Sequence, residues 1–249
     1  MTFLPTILEP SPRVRRVEQA ANDCIDACLD ALRTDECPLP IPVERWIEKP
    51  LGIQFGIADL SEYGPDVLGA TFIDENEILV SKTLVKNPAR LRFTAAHELG
   101  HFRLHASIKR HFRETSSQGP GSPIQIERQA DRFAAAFLMP ADAVMPEVQH
   151  ACKYFALDPE GCIAKLIEDC EESDWLWRNR ILPRLTRAFD VSIAAMLHRF
   201  SELRLPDGRP FIPSQVRSRL LRSANPTDPE IVVRDGVPQR EQENQSKPR

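Results

Sequence analysis

The sequence predicts an α+β fold: a small β-sheet with a hairpin, packed on a helix that carries His-Glu-x-x-His, followed by a mostly helical C-terminal region. Three observations predict it. Strand-like alternation is confined to residues 52–81, where two apolar runs flank a polar turn. Apolar residues recur at spacings of three and four before and after that stretch. From residue 141 to 205 the pattern is helical almost throughout.

The elements follow in order. Residues 12–32 place Val14, Val17, Ala21, Cys24, Cys28 and Leu32 on one face of an amphipathic helix. The prolines from Pro38 to Pro42 break it, and a short helix over 43–47 comes next. Residues 52–57 alternate in the manner of a strand. The runs 67–73 and 78–81 flank Asp74-Glu75-Asn76-Glu77, a hairpin signature. Asn87-Pro88 opens a helix that should reach about His105, since proline at the first helical position loses no needed N–H. Residues 107–123 are charged, then rich in Ser, Gly and Pro, and are expected to be a loop. A helix over 126–139 carries Ile126, Ala130, Phe133, Ala134 and Phe137 on one stripe and stops at Pro140. After Leu205 come seven prolines, and the last dozen residues have the composition of a disordered tail. The expected division is therefore 1–140, a helical extension over 141–205 that could recognise a substrate, and a proline-rich, partly disordered tail over 206–249.

Composition excludes several classes. The 249 residues carry a net charge of -4 and have a pI near 5.9, which gives no nucleic-acid-coating or membrane-adsorbing surface. Residues 1–8 are apolar but too short for a signal core. Pro5 interrupts them, and Arg13, Arg15 and Arg16 follow instead of preceding. No stretch approaches a membrane span. The six cysteines form no Cys-x-x-Cys pair. Cys24 and Cys28, one helical turn apart, could hold a metal, but a buried apolar pair suits free cysteine better. With no export signal, all six are expected to be reduced thiols in a cytoplasmic protein.

The chemistry concentrates at His97-Glu98-Leu99-Gly100-His101. On a helix this pentad sets two imidazoles one turn apart on one face, within reach of a single zinc ion. Glu98 is then placed to handle a proton on water and not to ligate. A catalytic zinc takes three protein ligands and keeps one position open, so a third must come from elsewhere. His105 lies about 12 Å from His97 along a straight helix, too far to share an ion, and fits a capping or ring-supporting role. Glu127 opens the next strong helix, and Asp131 follows one turn later on the same face. That pair suits a ligating carboxylate and a second acid that holds a histidine by its other ring nitrogen.

The blocks Arg92–His105 and Glu127–Pro140, at this separation and with the hairpin ahead, resemble the ImmA/IrrE family of zinc metallopeptidases. The resemblance covers roughly residues 40–140. It implies a gluzincin-like zinc site with His97, His101 and Glu127 as ligands and Glu98 as catalytic acid/base. It also implies regulatory proteolysis, since several members cut a bacterial or phage helix-turn-helix repressor; a transcriptional repressor is accordingly the expected protein substrate. Residues 145–182 depart from compact members and hold Trp175 and Trp177, which with Phe200 could anchor that substrate. A donor for the developing oxyanion is expected too, with His105, His111, His150 and Tyr154 as candidates.

Two rival functions bear on the same residues. Residues 185–200 have the helix, turn and helix of a DNA reader. Yet Ile193, Ala194 and Ala195 offer few groups to base edges, which favours a packing unit over direct nucleic-acid binding. A silent zinc protein of antitoxin type is the other rival. Glu98 speaks against it, because a structural site has no use for a base beside its ligand.

Overall fold

A computed structural model describes residues 8–107, 111–115 and 124–224. The expected disorder of the last dozen residues lies outside that range. Strand β1 (Glu9–Pro10) leads into α1 (Arg15–Leu32). This helix buries Val17, Ala21, Cys24, Ile25 and Cys28, largely the predicted stripe, and ends where Arg33 turns left-handed with φ of 55°. α2 (Val43–Glu48) buries Val43, Trp46 and Ile47.

A four-stranded sheet follows, made of β2 (Gln54–Ala58), β3 (Val67–Phe72), β4 (Glu77–Ser81) and β5 (His111–Thr115) in the order β2-β4-β3-β5. β3 and β4 form the predicted hairpin, with Gly69 opposite Val80 and Phe72 opposite Glu77. Asn76 takes the left-handed turn position at φ of 55°, a conformation its short amide tolerates. β2 runs parallel to β4, and β5 closes the other edge against β3.

β5 corrects the expectation of a loop over the whole of 107–123. Its pairing partner lies some 40 residues upstream, so nothing local in a polar stretch announces it. Phe112 is buried there.

Helix α3 (Pro88–His105) begins with Asn87 accepting a hydrogen bond from the Arg90 amide. It has no polar face over its middle turns: the residues from Thr94 to His101 are all buried. It is therefore a central helix, set against β3 and β4 on one side and α4 (Ile124–Leu138) on the other. α1 packs across α4 in turn.

The helical region then comprises α5 (Ala141–Tyr154), α6 (Pro159–Leu166) and α7 (Glu171–Leu176). A π-helical turn, Trp177–Ile181, runs on into α8 (Leu182–Phe189) and α9 (Ile193–Glu202). β6 (Leu203–Arg204) pairs antiparallel with β1, and α10 (Ser214–Ala224) is a further helix set among the C-terminal prolines. Met196, Leu197 and Phe200 turn α9 into the core. Trp177 and Phe200 are not available as surface anchors, contrary to the sequence-based expectation. Trp177 stacks edge-on against Phe200 and Phe211, with ring centroids 5.0 and 5.6 Å away. Trp175 alone of the three is exposed.

One contiguous core joins all these helices. A buried ion pair crosses it: Arg199 Nη1 donates to Glu18 Oε2 at 2.7 Å, while Arg199 Nε donates to the Met139 carbonyl at 2.8 Å. α9 thus clasps α1 and the end of α4 together. Among the described residues no helix is long and apolar enough to cross a membrane.

Candidate metal centre

The pentad lies at the middle of α3, where burial is complete: His97, Glu98 and His101 are all enclosed. Gly100 explains how α4 comes near enough to supply a third donor. A Cβ at this position would sit 3.2 Å from the Ala130 backbone and 3.1 Å from Phe133 Cβ. Glycine here and alanine opposite let the two helix axes approach, and Glu127, one turn before Ala130, is brought over the histidine pair.

Three donor atoms converge. His97 Nε2 and His101 Nε2 are 3.1 Å apart. Glu127 Oε2 lies 3.3 Å from the first and 3.5 Å from the second. A tetrahedral ion with bonds of about 2 Å needs donors roughly 3.3 Å apart, so the spacing fits a zinc-sized cation. The donor chemistry fits as well. Burial pulls His101 down to about 4, against the facing Glu127, which favours its charged form, so the ring is neutral at pH 7. Burial also opposes ionisation of Glu127, but the facing His101 and His97 rings outweigh it and hold the carboxyl below its ordinary range. His97, His101 and Glu127 form the one cluster of this kind among the described residues.

The surroundings orient these groups. Asp131 Oδ1 lies 2.9 Å from His97 Nδ1, so Nδ1 carries a hydrogen toward the carboxylate and Nε2 turns to the donor cluster. His105, beyond the donor cluster, meets His101 ring to ring, Nδ1 to Nδ1 at 3.1 Å. Phe112 of β5 stacks on His101 at 4.4 Å and 18°.

Glu98 reaches toward the sheet. Thr71 Oγ1 on β3 is 2.6 Å from Glu98 Oε2 and 3.0 Å from the Glu98 carbonyl. Gly69, two residues earlier and therefore on the same face of the strand, leaves room for that carboxylate. A Cβ there would lie 2.5 Å from Glu98 Oε1 and 2.8 Å from Thr94 Cγ2.

Sequence reasoning had not singled out Thr71 and Gly69. A Gly-x-Thr on the strand before the helix was the only trace. Of the oxyanion candidates, His105 is committed to its contact with His101, and His150 pairs with Glu147 at 3.0 Å. Tyr154 stands exposed under Arg184. The side chain of His111 lies outside the described residues.

A sheet-backed helix bearing His-Glu-x-x-His, with a carboxylate from the next helix, defines a metallopeptidase-type domain. Residues 51–201 match the family described as IrrE N-terminal-like domain, peptidase M78, and the chain belongs to this family, that of ImmA and IrrE. No curated protein matches it. Among solved structures, a Mycobacterium tuberculosis transcriptional regulator aligns with a TM-score of 0.38 and 18% identity, over 78% of this chain. The chain spans 53% of that protein, about half its length.

Proposed function

We propose that this chain is a zinc-dependent endopeptidase of regulatory type that cuts a bacterial or phage helix-turn-helix transcriptional repressor. The observation that carries it is a triangle of three metal-competent donors, with Glu98 next in the chain to His97, buried and held by Thr71. His97, His101 and Glu127 would hold the ion. Zinc, when bound there, supplies a Lewis acid that makes water acidic near neutral pH and polarises a carbonyl. Glu98 takes the proton from the attacking water and delivers it to the leaving amine. Thr71 restrains the rotation of that carboxylate, and Asp131 holds the His97 ring by Nδ1, so that Nε2 turns to the donor cluster.

Membership of the family supports regulatory cleavage. Narrow specificity requires contacts away from the reacting bond. We place them on the 141–205 extension, where the exposed Trp175 and Tyr154 flank two arginines. Arg180 lies over the Phe155 and Trp175 rings at 4.8 and 4.9 Å, and Arg184 over Tyr154 at 4.1 Å. Aromatic side chains and arginines of this kind dominate recognition surfaces.

The test is incubation of the purified chain with the repressor encoded beside its gene. Discrete fragments are expected, and they should vanish with chelator and with Glu98→Gln. Indiscriminate digestion of casein would overturn the narrow specificity and leave the zinc chemistry standing; intact repressor after incubation with the zinc-loaded chain would overturn the proposed substrate.

A further inference from the structure

We propose that the rings and guanidiniums of Trp175, Arg180, Phe155, Tyr154 and Arg184 form a docking strip for an acidic, extended segment of the substrate protein. The inference rests on the reading of the 141–205 extension as the recognition surface and adds the chemistry of what docks there.

The strip is a continuous stack drawn from two parts of the chain. Arg180 lies over the Trp175 ring at 4.9 Å and over the Phe155 ring at 4.8 Å. Phe155 meets Tyr154 edge to face at 5.0 Å, and Arg184 covers Tyr154 at 4.1 Å. The π-helical turn Trp177–Ile181 builds this arrangement. Residues five apart diverge on an α-helix, but they come round to one side where bonding runs from i to i+5, and Arg180 is thereby set over Trp175. α8 continues the row, with Arg184 four residues further and Arg187 seven, so that one helical face carries all three cations.

Charge decides what fits. Residues 175–189 hold four arginines and neither Asp nor Glu, in a chain whose net charge is -4. The acids that flank this run are engaged elsewhere, Asp174 with Arg219 and Asp190 with Arg92. Among the described residues no carboxylate lies within ion-pair distance of Arg180, Arg184 or Arg187. The strip is also open: Trp175 is 50% and Tyr154 65% exposed. A stacked guanidinium keeps its faces on the rings and its N–H edges free for a carboxylate. The stack holds these side chains in place beforehand, which lowers the ordering cost of binding. Four residues of helix rise about 6 Å, close to the spacing of about 6.6 Å between alternate side chains of an extended chain. Acids at every second position therefore meet successive arginines. Single-stranded nucleic acid is the competing polyanion, but its bases need open ring faces. Guanidiniums already cover a face of Trp175, Phe155 and Tyr154.

The test is fluorescence anisotropy of the full-length chain with a labelled peptide of alternating Glu and Ser. Its controls are the same peptide with Gln for Glu and a labelled oligothymidine of equal length. The chain carries Glu98→Gln throughout, so that the peptide stays whole. The Glu peptide is expected to bind at least about tenfold more tightly than the Gln peptide, and Arg180→Gln combined with Arg184→Gln should remove that advantage. Arg180→Lys combined with Arg184→Lys keeps the charge but loses the flat, stacked fork, and should weaken binding by about a few-fold. The lysine pair decides the matter if the glutamine pair does not fold, and undiminished affinity there would overturn the stacked geometry. Equal affinity for the Glu and Gln peptides, or an unchanged advantage in the glutamine pair, would overturn the strip. Tighter binding of oligothymidine than of the Glu peptide would overturn it in favour of a nucleic acid. Docking is read apart from cleavage. Acidic peptide bound by a chain that leaves the repressor whole counts against the proteolytic reading alone. Repressor cut without any preference for the acidic peptide counts against the strip alone.

Discussion

At the residue scale the donor triangle makes the sharpest demands. His97→Ala and His101→Ala should each lose most bound zinc, which metal analysis of the purified protein will show. Full retention in the double variant would remove the site. Glu98→Gln should keep zinc and fold while lowering peptide cleavage by at least about 100-fold, since the amide cannot take the proton; equal turnover would mean another base. Asp131→Ala should weaken zinc affinity by about 10 to 100-fold without removing a ligand. His97, Glu98 and His101 were legible because their relation is local: one helical turn fixes it whatever the rest of the chain does. Glu127 and Asp131 were legible only because a second helix with the same period followed. Thr71 was not, since its contact with Glu98 depends on which strand comes to rest against α3. No spacing within either segment encodes that. His105 falls between: the length of a helix turn excluded it as a ligand, yet its contact with Gln129 emerges only when α4 is in place.

At the scale of elements, the approach of α3 to α4 assembles the centre, and Gly100 sets it. Gly100→Val should force the Ala130 backbone away, costing roughly 1–3 kcal/mol of stability by overpacking, and weaken zinc binding together with it. Calorimetry and a zinc titration on the same sample check both. An unchanged zinc affinity would mean that Glu127 reaches the histidines without the close contact. The hairpin and the long helices were readable from periodicity. β5 was not, because its register is set by β3 across the sheet. Trp177 and Phe200 show a second limit: aromatic residues on a helix have one composition whether they face solvent or a core. Phe211, from between Pro210 and Pro213, packs against both rings.

At the scale of the molecule, the ion pair between Arg199 and Glu18 holds together segments 181 residues apart. Arg199→Met should destabilise the fold by about 3–5 kcal/mol, because it strands Glu18 in the interior. Replacing both partners with apolar residues should cost much less, and chemical denaturation distinguishes the two. Glu202, next in the same cluster, has its carboxyl pushed up by burial, against the pull of His198, Arg199 and Arg132. Folding therefore disfavours its charged form. The stability it costs is absent below the ordinary carboxylate pKa and grows as pH rises through the raised native value. The melting temperature of Glu202→Gln relative to wild type should accordingly rise from pH 4 to pH 8, and a flat difference would refute the shift.

The clasp also has a consequence for synthesis. A ribosome releases both histidines, the glutamate and the aspartate long before it reaches Arg199. Until then α1 has a buried acid with no cation, and the back of α4 has nothing to lean on. Contacts of such sequence separation close late. A half-made chain carries every candidate donor but lacks the frame that aligns them.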